Sequence, residues 1–269
     1  MYETSSSNLL ADLTGGVLRL QLNRPEKSNA LNYEMVTAAL DLVKKADEDW
    51  DVRVVVLEGA GDDFCAGEAP EDMGEWPEAY AHRFHQGAHG PGPIPQQDLF
   101  KTLRSLSKPT VALMKGRTMD AGLDLACVSD VRLAEDDSVI ADTRVLKAQH
   151  AVTGLAYILP RLIGQSQAMR LLLTGEEISG KEAERIGLVY GSFSSGEYKE
   201  KSEEIINELA AMPTRSYALI KQQILNQLDM PYETALMHSL AVRQTNVIED
   251  TKEGMRAFRE KRKPEYKGR

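Results

Sequence analysis

The sequence predicts an α/β fold whose last part is all-helical, and three observations carry that expectation. The apolar runs VLRLQL, VRVVVLEG, TVALM and VRLA have strand character and alternate with segments of helical periodicity. From Arg161 onward the strand signals give way to consecutive helical patterns. Turn residues rich in Gly, Asn and Pro punctuate the first part. The expected organisation is an α/β core over residues 1–195 followed by a helical region over residues 196–269.

Residues 17–22 alternate, with Leu18, Leu20 and Leu22 on one face and Arg19 and Gln21 on the other, which predicts a half-buried strand. The stretch NRPEKSNALN carries turn chemistry and an N-cap at Asn32, ahead of a helix through Met35, Val36, Ala39, Leu40 and Val43. VRVVVLEGAG is a β-branched run closed by two glycines, the pattern of a strand buried on both faces. TVALM, entered through Lys108 and Pro109, and then VRLA with SVIA behind it read as further strands. Helices are expected near residues 161–173, 181–187, 198–211, 214–228, 233–248 and 252–262. The segment from Gly74 to Pro95, with HRFHQGAHGPGPIP inside it, suits neither helix nor strand and reads as a lid or a surface insertion. Its His82, His85 and His89 lack the rigid frame of Cys, Asp or Glu that a zinc site needs, so no metal is expected; solvent exposure or proton shuttling by one histidine remains.

A chain of 269 residues buries roughly 73% of its unfolded surface, enough for a sizeable core. The net charge of −9 argues against a protein built to neutralise a phosphate backbone. Apolar runs such as Val54 to Leu57 are far too short to span a bilayer. The opening MYETSSSNLL lacks the basic and apolar regions of a secretory leader, so a cytoplasmic location is expected, with neither nucleic acid nor membrane as partner. Cys65 and Cys127, flanked by Phe64, Ala126 and Val128, read as small buried hydrophobes.

Two segments carry chemical meaning. In FCAGEAPED, residues 64–72, Gly67 permits a backbone turn that aims the following N–H groups inward. In KGRTMDAGLDLACVSD, residues 115–130, small residues lead from a strand into a helix whose first N–H groups face a pocket. Two such amides are the donors that an oxyanion requires.

In this order and spacing the segments resemble the crotonase, or enoyl-CoA hydratase/isomerase, superfamily. The resemblance covers nearly the whole chain: LNRPEKSNALN, VVVLEGAGDDFCAG, SKPTVALMKG, SDVRLA, LPRLIGQSQAMRLLLTGEEISGKEAERIGLV and EGMRAFREKRKPEYKG. It implies a spiral of ββα units, a helical C-terminal trimerisation region, and homotrimers or dimers of trimers. It also implies an acyl-CoA thioester substrate, whose coenzyme A is the only cofactor-like group. The thioester oxygen is expected between the amides of Glu68 and Ala121, with Ala66, Gly67, Asp120 and Gly122 around it. Arg24, Lys27 and Ala30 match residues near the adenosine, and Phe258 and Lys261 match residues that reach a nucleotide, often of a neighbouring subunit. The alternative for those last two is a packed aromatic and a solvated lysine. His150 falls where the active-site loop passes, and Met119 and Tyr157 fall beside the acyl pocket or in the core.

The sequence departs from the hydratase pattern at both catalytic glutamates. The first position is Asp124, still a carboxylate able to move a proton and the expected proton carrier; the alternative is a helix-terminal aspartate stabilised by the helix dipole. The second is Arg144, which cannot deprotonate and therefore cannot serve as a general base. Arg144 is expected to pair with Asp124 or Asp120, or to clamp a substrate carboxylate through two parallel hydrogen bonds. Asp120 replaces the first glycine of the usual triple-glycine turn, beside Asp142 and Thr143, and needs protonation or a cation such as Arg144 or Arg117. The expected activity is enolate chemistry on an acyl-CoA, as hydration, dehydration or double-bond isomerisation. The alternatives are C–C hydrolysis or decarboxylation of a carboxylated acyl-CoA, with Arg144 holding the extra carboxylate, and an inactive acyl-CoA-binding homologue.

Overall fold

A computed structural model of the chain describes residues 2–69 and 95–269. Its main sheet has the order β1-β2-β3-β4-β6-β8, with β1 (Leu9–Thr14) antiparallel to β2 (Val17–Leu22). From β2 onward every pairing is parallel, through β3 (Val54–Gly59), β4 (Thr110–Met114), β6 (Val131–Glu135) and β8 (Gly191–Phe193). Parallel neighbours need crossovers that leave the sheet and return, and each crossover here deposits a residue or short strand on a second ladder. That ladder runs from the Leu31–Glu68 bridge to the Cys65–Thr118 bridge, through β5 (Arg117–Met119) paired with β7 (Val139–Ala141), to the Ile140–Ile178 bridge. SVIA therefore belongs to this second ladder and not beside VRLA in the main sheet.

The β3 run is buried on both faces, as its β-branched composition requires. Val55 and Leu57 face one core with Leu18, Leu20, Val36 and Phe64. Val54 and Val56 face another with Val111, Leu133, Tyr198 and Ile206. Helix α1 (Tyr33–Glu48), capped by Asn32 accepting a hydrogen bond from the Met35 N–H, covers the first face together with α2 (Pro95–Ser105). The opposite face is covered by α6 (Tyr198–Ala211), so residues after 195 are packed on the core sheet.

Between these lie α3 (Ala121–Cys127), α4 (Leu155–Thr174) and α5 (Gly180–Arg185). Helix α4 starts upstream of the expected boundary near 161, runs through Pro160 at the loss of one backbone hydrogen bond, and kinks at Gly164. After α6 come α7 (Thr214–Gln227), α8 (Tyr232–Thr245) and α9 (Asp250–Glu260), which expose apolar residues such as Ile224, Leu236, Met237 and Phe258.

One close approach locks the second ladder to α3. A Cβ on Gly122 would sit 2.3 Å from the Cys65 carbonyl oxygen and 2.8 Å from the Cys65 Cβ, so only glycine lets the helix start against this strand. Gly122→Val is expected to destabilise the fold by at least about 1–3 kcal/mol through overpacking, read as a lowered urea midpoint. An unchanged midpoint would contradict this packing.

Candidate active site

The second ladder brings three distant segments to one place. The Ala66 N–H donates to the Ser28 carbonyl at 2.9 Å and the Leu31 N–H to the Gly67 carbonyl at 2.7 Å. On the other side the Met119 N–H donates to the Cys65 carbonyl at 2.9 Å, and a Cβ on Gly67 would lie 3.0 Å from the Asp120 Cβ. The Ala66–Gly67–Glu68 and Asp120–Ala121–Gly122 segments are thus in direct contact. Arg24 and Ala30 join them: the Arg24 guanidinium donates to the Ala30 carbonyl at 2.8 Å, and the 3-10 turn Pro25–Lys27 lies between.

The amides assigned to an oxyanion sit on this seam. The Glu68 N–H is flanked by Gly67 and Ala69, whose carbonyl and N–H complete the bridge to Leu31, and it meets no acceptor among the described residues. Ala121 opens α3, where the first N–H groups have no intrahelical carbonyl, and the Asp120 side chain does not cap them. Asp120 has φ 48° and ψ −116°, a conformation that favours glycine. Its carboxylate is instead held away from the helix start, accepting from the Thr143 N–H at 2.6 Å, the Thr143 hydroxyl at 3.0 Å and Lys147 at 2.7 Å. The cation that compensates Asp120 is therefore Lys147, in place of the expected Arg144 or Arg117.

Arg144 is committed elsewhere. Its two terminal nitrogens donate to the two oxygens of Asp124 at 2.9 and 2.7 Å, while Nε donates to Asp142 at 2.8 Å. The Thr153 hydroxyl also donates to Asp124. All three charged groups are buried, and two aspartates hold the guanidinium charged by hydrogen bonding against the opposing effect of burial. For Asp124, burial pushes the carboxyl above its ordinary range, opposed by the hydrogen bonds from Arg144 and Thr153. Bidentate pairing of this kind makes Asp124–Arg144–Asp142 one closed unit. Thr153, nearly thirty residues away from Asp124 in sequence, carries no motif that could have revealed it.

The Glu68 side chain is a different case. It is half-buried, and burial raises its carboxyl above the ordinary range; Asp124 and Asp120 add to the rise while Arg144 and Lys147 oppose it. Among the described residues no hydrogen bond or ion pair engages its oxygens. Sequence reading took only the amide of this residue, although a glutamate directly after the glycine turn was itself a signal.

Other expected residues lie apart. His150 is exposed at the end of the 3-10 turn Arg144–Lys147, and Phe258 is 81% exposed on α9, with Lys261 in the left-handed C-cap beyond it. Tyr157 is half-exposed, donating to Asp229 at 3.0 Å beneath the Arg161 guanidinium. Cys65 and Cys127 are free and buried, and burial pushes both thiols up to about 12. His82, His85 and His89 lie outside the described residues. No metal-binding cluster occurs among the described residues.

Arg144→Met leaves Asp124 and Asp142 buried without their cation and is expected to cost about 3–5 kcal/mol in urea unfolding. A variant as stable as the native chain would contradict the closed ion-pair unit.

The Enoyl-CoA hydratase/isomerase family profile matches residues 12–269. The (E)-benzylidenesuccinyl-CoA hydratase of Thauera aromatica is 32% identical, over 96% of this chain and 98% of that protein. The 1,2-epoxyphenylacetyl-CoA isomerase of Escherichia coli strain K12 is 28% identical, over 97% of this chain and 98% of that protein. Among solved structures, the enoyl-CoA hydratase from Bacillus anthracis superposes with a TM-score of 0.88 at 28% identity, covering 98% of this chain and all of that one. Sequence, ladder topology and these likenesses together make the chain a member of the enoyl-CoA hydratase/isomerase family, the crotonase superfamily.

Proposed function

We propose that this chain transforms an acyl-CoA thioester through an enolate whose oxygen is held by the amides of Glu68 and Ala121. The observation that carries this reading is the pair of unengaged N–H groups on two segments pressed together through Gly67 and Asp120. Donors fixed before charge develops stabilise it without reorganisation, and one such donor is typically worth about 2.7–4 kcal/mol. The resemblance expects the adenosine at the 3-10 turn carrying Arg24 and Lys27, where Arg24 is hydrogen-bonded to the Ala30 carbonyl. A cleft of about 410 Å³ lined by Phe100, Tyr157, Ile158 and Leu225 includes Thr153, whose hydroxyl donates to Asp124.

The reaction that fits is double-bond migration, or addition and elimination of water, run by one mobile proton carrier. Arg144 stands where the second hydratase glutamate is expected, so the two-carboxylate hydration scheme is incomplete here. The closed Asp124–Arg144–Asp142 unit leaves that guanidinium few donors for a substrate carboxylate, which weighs against the decarboxylase alternative.

Exposed apolar side chains along α7, α8 and α9 support the homotrimer or dimer of trimers, and the two free, buried cysteines accord with a cytoplasmic location. Sedimentation at micromolar concentration is expected to give three or six times the chain mass; a monomer would contradict the assembly.

The activity is tested with crotonyl-CoA, a 3-enoyl-CoA and a dienoyl-CoA, together with α-proton exchange of a saturated acyl-CoA in heavy water. Exchange and turnover of at least one enoyl thioester are expected. Thioester binding with neither exchange nor turnover would overturn the enzyme reading in favour of a binding homologue.

A further inference from the structure

We infer that the Glu68 side chain, and not only its amide, works in this site as the base that takes the α-proton of the bound thioester. The inference rests on the enolate reading above and adds the identity of the proton carrier.

Elimination narrows the choice. Asp124 is bound through both oxygens by Arg144 and again by Thr153; Asp142 is spent on Arg144; Asp120 is spent on Thr143 and Lys147. The buried thiols stay protonated, and His150 is exposed. Glu68 alone among the described carboxyls of the site has oxygens without a hydrogen bond, and the charges around it are Arg144, Asp124, Asp120 and Lys147. Its reach is set by covalent geometry. The side chain belongs to the residue whose amide is assigned to the thioester oxygen, and three carbon–carbon bonds of about 1.5 Å keep its carboxyl within about 5 Å of the Cα beside that amide.

The step balances without another reactant. The Glu68 carboxylate accepts the α-proton, and the C–H electron pair moves into the enolate with its charge on the thioester oxygen. In double-bond migration the resulting carboxylic acid returns the proton to the γ-carbon, regenerating the carboxylate and the thioester carbonyl. Negative charge moves from one side of a residue to the other, from carboxylate to oxyanion, and the net charge of the site is unchanged. In a site where Glu68, Asp120, Asp124 and Asp142 face Arg144 and Lys147, that conservation matters: a base that stayed charged would oppose the oxyanion.

The test compares the native full-length chain with Glu68→Gln and Glu68→Asp, following α-proton exchange, isomerisation of a 3-enoyl-CoA, and thioester affinity by calorimetry. Glu68→Gln keeps shape and amide but not basicity, and it is expected to lose about 100-fold or more in exchange and kcat with affinity nearly unchanged. Glu68→Asp is expected to keep measurable exchange. Because the base must be ionised, native exchange should rise with pH through a point above the ordinary carboxylate range, in line with the burial of Glu68, and this limb should be missing from Glu68→Gln. Native exchange and an intact pH limb in Glu68→Gln would overturn the inference while leaving the enolate reading standing. Should Glu68→Gln fail to fold, a displaced pH limb in Glu68→Asp takes its place, and an unmoved limb would overturn the inference. A native chain that binds thioesters yet exchanges nothing overturns the enolate reading itself.

Discussion

The site depends on one backbone contact, the seam where residues 65–68 run against residues 117–122. The Cys65–Thr118 bridge sets the register, and the glycines at 67 and 122 let two peptide chains approach more closely than any side chain would allow. Parallel crossovers create that seam at the rim of the main sheet, and the same crossovers carry the 24–31 segment alongside it. The topology therefore brings the Glu68 and Ala121 amides onto adjoining segments, and side chains only modify their surroundings.

The modification in this chain is electrostatic. Where relatives of the hydratase pattern are expected to offer two glutamates around water, this chain buries an arginine between two aspartates. A buried cation that loses its partners is costly, so the unit is either closed or the fold is strained, and its geometry here is closed. Asp120 is neutralised separately by Lys147 and by the Thr143 N–H, which keeps its charge off the helix start while tolerating a φ of 48°. Glu68 is left as the unengaged carboxyl, raised by burial.

Much of this architecture was legible in the sequence. Leu18, Leu20 and Leu22 alternate because one face of β2 is core, and the unbroken Val54–Leu57 run marks a strand covered on both faces. β1 escaped because an edge strand with Asp12 and Thr14 facing solvent carries little apolar pattern, and β8 because three residues carry almost none. The glycines at 67 and 122 marked the two segments that meet at the seam, since so close a backbone approach excludes a Cβ. The ion-pair partners were harder: Arg144 could face Asp120 or Asp124 with equal sequence logic, and only the 3-10 turn decides that it meets Asp124 and Asp142. The exposure of Phe258 was equally hidden, because an apolar residue on an amphipathic helix reads alike whether its face is packed or open.

The proposed function rests on polarisation of a thioester carbonyl by the Glu68 and Ala121 amides. Difference infrared spectroscopy of a bound acyl-CoA carrying a 13C-labelled carbonyl reads this directly, without turnover. A downshifted carbonyl stretch relative to the thioester in water is expected, because two donors fixed before binding polarise the C=O bond more than mobile solvent does. A bound thioester whose carbonyl absorbs where it does in water would contradict it.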